Sequence, residues 1–169
     1  MFVSAKNLPN MDLTSKTDPF CVVDIKTVGN LPNVRPMERV GVSEVIMDTL
    51  NPQFAFAFEM NYHFEMSQDV VVTLYDKDSG APLTRTSSHT LIGTYTFNLA
   101  TLMNKSGSNM AGPLVSRRAG SATVSVRGEA LANTRDCLTV SFSGKKLANK
   151  VPTSRIATSP PLFVSRPPC

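Results

Sequence analysis

Six bulky apolar residues, Phe54, Phe56, Phe58, Met60, Tyr62 and Phe64, fall at every second position of this chain. A period of two puts them on one face of an extended strand or a bent pair of strands; helical spacing would spread them around an axis. Further short apolar runs read as strands at 21–25, 44–46, 70–75, 91–97, 122–126 and 138–142. Turn signals separate them: Leu8-Pro9-Asn10, Asp18-Pro19, Asn30-Leu31-Pro32-Asn33, Asn51-Pro52 and Ser79-Gly80-Ala81-Pro82. Many short strands joined by such turns predict an all-β sandwich. One short helix is expected near 99–103, and 104–120 reads as a loop.

With 169 residues, 41% of them hydrophobic, the chain can bury a core and has room for one domain and a fragment of another. The formal charge is +4. The Lys and Arg residues are scattered, which does not point to nucleic acid. It is compatible with weak attraction to an anionic lipid surface, where each nearby basic residue contributes about 1 kcal/mol. Three distant cysteines, Cys21, Cys137 and Cys169, argue against a disulfide framework and for a reducing compartment. No apolar run approaches the ~20 residues of a membrane-spanning helix. The ends lead us to expect no signal peptide, no N-myristoylation and no prenylation.

Two segments concentrate acid. Asp12 and Asp18 stand in one; Asp76 and Asp78 follow the apolar run ending at Tyr75. Calcium takes six to eight oxygen ligands, several from carboxylates. Asp76 and Asp78, two apart in extended chain, are expected to face one side and share an ion. Two solvated acidic turns would look the same in sequence. An EF-hand is excluded: counting from Asp76 puts Ala81 where Gly is needed and Ser87 where the bidentate Glu is needed. Met11, Leu13 and Leu83 are apolar residues near these acids, placed to enter lipid or to pack back on the domain. His63 is read as a solvent-facing strand residue and His89 as part of a polar loop. No nucleophile elbow, phosphate loop, dinucleotide fingerprint or zinc-spaced cysteine pair is present, so no catalytic residue is expected.

Residues 4–8 and 12, followed by Ser15-Lys16-Thr17-Asp18-Pro19-Phe20, resemble the first calcium loop of C2 domains. The stretches 38–46, 50–54 and 62–65, with Val72-Thr73-Leu74-Tyr75-Asp76 and Leu91-Ile92-Gly93, look like the first C2 domain of copines. So do 124–129, while 138–147 look like the opening of the second copine C2 domain. This resemblance implies an antiparallel, eight-stranded Greek-key C2 β-sandwich. It places Asp12, Asp18, Asp76 and Asp78 at the family's Ca2+ ligand positions, with Thr90 where a further loop carboxylate is expected. Weaker calcium affinity follows.

The domain reading is therefore 1–131 for a first C2 domain with its first strand clipped, 132–150 for the first strand of a truncated second one, and 151–169 for a disordered Pro-rich tail. A repeat supports it: Ser4-Ala5-Lys6-Asn7-Leu8-Pro9-Asn10 resembles Ser143-Gly144-Lys145-Lys146-Leu147-Ala148-Asn149. The expected function is calcium-dependent binding to anionic phospholipid membrane, without catalysis, by a cytoplasmic protein peripheral at the plasma membrane. Met11, Leu13 and Leu83 would enter the interface, and Lys16 and Lys77 would meet headgroups. Protein partners are expected as well. The alternative is a calcium-independent protein-interaction module or a non-functional copine fragment.

Overall fold

Alternation along the chain builds the core. Cys21, Val23 and Ile25 face Val70, Val72 and Leu74 on one buried side, and Val3, Ala5, Val124 and Val126 supply the other. A computed structural model describes residues 1–11, 15–29, 35–78 and 80–131. The readings for 132–150 and 151–169, and the strand at 138–142, lie outside them.

The strands are β1 (Phe2–Lys6), β2 (Pro19–Val28), β3 (Met37–Val42), β4 (Ser67–Asp76), β5 (Thr90–Asn98), β6 (Asn109–Pro113) and β7 (Thr123–Arg127). They form two antiparallel sheets, ordered β3-β2-β4-β5 and β1-β7-β6. The predicted helix is α1 (Leu99–Asn104). It starts where the Asn98 side chain accepts the Ala100 N–H, and it buries Leu99 and Leu102.

Seven strands stand where eight were expected, among the described residues. The eighth place is held by an irregular segment along the outer edge of β1. Leu8 N–H donates to Leu50 O at 3.0 Å, Ala5 N–H to Pro52 O at 2.9 Å, Phe54 N–H to Val3 O at 3.1 Å and Phe58 N–H to Met1 O at 2.9 Å. Between the last two bonds the segment advances four residues while β1 retreats two. The surplus bulges outward, and the Ala55 and Phe56 N–H groups donate to the Glu44 carboxylate instead.

That bulge overturns the single apolar face expected for 54–64. Phe54 and Phe58 are buried, whereas Phe56 is partly exposed against Gly41, and Phe64 is 86% exposed. Two other expectations shift. The strand expected at 44–46 lies at 37–42; the later residues only follow β2 through single bonds such as Ile46 N–H to Pro19 O at 3.0 Å. The loop read at 104–120 contains β6, whose polar and small residues gave no periodic signal.

Candidate functional site

In an antiparallel pair the start of one strand lies beside the end of its neighbour. Pro19 opens β2 in register with Asp76, which closes β4. Thr90 opens β5 on the other side of the same Asp76. Segments 7–18 and 77–89 therefore leave the sheet at one end, as the sequence led us to expect.

Asp76 is 1% exposed. Its Oδ1 accepts the Asp18 N–H at 2.8 Å. One residue on, Lys77 N–H donates to Asp18 O at 3.2 Å. Two of the four predicted ligands are thus stitched together, backbone to side chain, across two loops. Asp78 is exposed and does not share the buried setting of Asp76. The pleat that would have aligned them ends with β4 at Asp76. Asp12 and Leu13 lie outside the described residues.

A buried threonine shapes the first loop. Thr17 is fully buried; its hydroxyl donates to Pro9 O at 2.8 Å and accepts the Met11 N–H at 3.0 Å. Asp48, which the sequence reading passed over, braces the same loop from the segment after β3. Its N–H donates to Asp18 Oδ1 at 2.7 Å, and its Oδ1 accepts the Lys16 N–H at 2.8 Å. Asp48 sits in the left-handed region, φ 55°, which Asp tolerates better than most residues. The nearby Asn51-Pro52 turn was the available signal, but nothing in it says which loop Asp48 meets.

The predicted lipid-facing residues divide. Lys16 is exposed, while Met11, Lys77 and Leu83 are half-buried. Met47, beside Asp48 in the segment after β3, is a strongly exposed apolar side chain, at 62%. His89 is not a polar-loop residue: it is buried, edge-on to the Phe20 ring at 5.2 Å, with Nε2 3.4 Å from Pro82 O. It folds 82–89 back onto the sheet. His63 is half-buried in the turn before β4 rather than solvent-facing in a strand; its N–H donates to Gln68 Oε1 at 2.7 Å. Cys21 is a fully buried core residue. Burial pushes its thiol up to about 12, against a smaller opposing effect of the Ser43 hydroxyl.

For calcium, the donor chemistry at this end is right: Asp18 and Asp76 are hard oxygen ligands. Among the described residues, however, no group of three or more His, Cys, Asp or Glu side chains comes together. The described residues fit the ion as half of a site, and a Thr hydroxyl, not an acid, stands in register beside Asp76.

The chain matches the C2 domain family over residues 1–114. It is 34% identical over 115 residues to nicotinic receptor-associated protein 1 of Caenorhabditis elegans, covering 62% of this chain and 18% of that protein. It is 28% identical over 146 residues to Copine-E of Dictyostelium discoideum, covering 85% of this chain and 24% of that one. The chain thus spans about a fifth to a quarter of these relatives' length. Human GIVD cytosolic phospholipase A2 superposes on 73% of this chain, and on 14% of its own, with a TM-score of 0.51 at 16% identity, a likeness of fold. C2 domains in general are membrane- and calcium-related modules. The relatives it resembles include a copine, and the chain belongs to the C2 domain family.

Proposed function

We propose that this chain is a calcium-dependent module that binds anionic phospholipid membrane and performs no chemistry of its own. The observation that carries the reading is the meeting of Asp18 and Asp76, from two loops, through a 2.8 Å bond at one end of the sandwich. Asp12 and Asp78 are the carboxylates that would complete the set around Ca2+. Bound there, the ion would supply positive charge facing lipid phosphates. Thr17 and Asp48 hold the first loop in place, and Lys16 and Lys77 meet anionic headgroups. We place the module in the cytoplasm, peripheral at the plasma membrane, because Cys21 is a buried thiol and the cysteines are sparse.

The test is co-sedimentation with phosphatidylserine vesicles in calcium and in EGTA, with Asp76→Asn and Asp78→Asn beside the wild type. Asp78 is exposed, so its variant reports on the ion without disturbing the Asp18–Asp76 contact. We expect calcium to raise wild-type binding at least 10-fold and both variants to lose the increment. Equal wild-type binding in the two buffers would replace this reading with the second one, a calcium-independent interaction module. Thr90 beside Asp76 is the observation that favours that alternative.

A further inference from the structure

Four segments leave the sandwich at the aspartate end: 7–18, 43–52, 77–89 and 114–122. The last contains no acidic residue and carries Arg117 and Arg118 side by side. Its placement follows from how firmly it is tied to β5. Val115 and Thr94 exchange backbone bonds at 2.8 and 3.2 Å. The Ser116 hydroxyl donates to Ile92 O and accepts the N–H groups of Arg118 at 3.0 Å and Ala119 at 3.1 Å. Leu114 and Ala119 are buried against Gly93, where an added Cβ would stand 3.0 and 3.3 Å from their Cβ atoms. Ile92 is two residues from Thr90, about 7 Å at ~3.3 Å per residue, so this loop is tethered close beside the aspartates.

What the loop presents outward is specific. Val115 is 73% exposed, and both arginines are exposed. Neither arginine forms an ion pair among the described residues, where the pairs are Arg39–Asp24 and Arg127–Glu129. A single exposed valine is ordinary. A valine beside two unpaired guanidiniums, on a stiff turn, is suited to a surface that is anionic outside and apolar just beneath. Guanidinium pairs with phosphate in a bidentate fashion, and a preorganised turn loses little entropy on docking.

We propose that Val115, Arg117 and Arg118 form a calcium-independent contact for anionic phospholipid bilayers, which holds the aspartate loops at the membrane before calcium binds. The inference rests on the membrane-binding reading above and not on its calcium part.

The experiment uses the whole chain and vesicles of phosphatidylcholine with increasing phosphatidylserine, in EGTA and in calcium. The variants are Arg117→Ala/Arg118→Ala and a charge-matched control, Lys26→Ala/Arg35→Ala. Thermal melting checks that each folds. In EGTA we expect salt-sensitive wild-type binding that grows with phosphatidylserine. The tip variant should bind about 30-fold more weakly, ~5-fold per arginine, while the control stays within about 2-fold of the wild type. Equal loss in both doubles would show that only net charge matters and would overturn the assignment. So would wild-type binding seen in calcium alone, or a tip variant that still binds fully in EGTA; in those cases membrane binding itself stands. A wild type that sediments with no vesicle in either buffer would remove the membrane reading and this contact with it.

Discussion

The 7–18 and 114–122 loops leave the same end of the sandwich and are fixed by the same device, one hydroxyl used several times. Thr17 closes its loop on itself, through Pro9 O and Met11 N–H. Ser116 instead ties its loop to another strand, through Ile92 O, while accepting two N–H groups of its own turn. The first loop is therefore self-shaped, and its position is set from outside by Asp48 and Asp76. The second has its position built in. One carries acids and the other bases, so a loop's charge says nothing about how it is held.

Among neutral-pH substitutions in these loops, Thr17→Val should be the most damaging. Thr17 is fully buried, so the change puts a methyl where a buried hydroxyl joined Pro9 O and the Met11 N–H, and both lose that partner. Urea denaturation should show a loss of about 2–3 kcal/mol, with Thr17→Ser recovering part of it. A loss as small as that of an exposed threonine would mean that the loop repacks freely. Ser116→Ala should cost less, about 1–2 kcal/mol, because Ser116 is half-buried and water can replace part of what it does. If Ser116→Ala proved the more damaging, anchoring to β5 would outweigh self-closure.

Asp48 separates position from shape. Asp48→Ala loses the acceptor for Lys16 N–H and puts an alanine at φ 55°, for about 1–2 kcal/mol in total. Asp48→Gly keeps the backbone comfortable and should lose about half as much. Equal losses would assign the whole effect to the hydrogen bond.

The last effect is absent at neutral pH and confined to alkaline pH. Burial raises the Cys21 thiol from 9.0 to about 12, so the folded chain keeps a proton that the unfolded chain releases. The stability this contributes is intact below pH 9 and is lost as pH rises from 9 toward 12. Urea midpoints at pH 8, 9.5 and 11 should fall more steeply for the wild type than for Cys21→Ala. Parallel declines would show that the thiol plays no part.

Much of the fold was legible in the sequence because strand alternation is local. The runs at 21–25, 70–75, 91–97 and 122–126 lie within β2, β4 and β5, or overlap β7, and Asn98 capped the expected helix. Where the reading failed, the cause was a non-local partner. The face shared by 54–64 was lost because Glu44 draws two N–H groups out of a ladder with β1. His89 looked polar by its neighbours and is buried by Phe20, which lies far away in the chain. β6 was missed because its Asn, Ala and Gly carry no period.

That the chain makes a sandwich of short strands, and that Asp12 and Asp18 share one turn-bearing segment and Asp76 and Asp78 another, could be read from the sequence, because both are properties of neighbouring residues. That Asp18 meets Asp76, that Asp48 braces the first loop, and that Arg117 and Arg118 stand at the aspartate end emerged only from the folded chain. Those facts depend on which strand ends coincide, and antiparallel register between distant segments sets that.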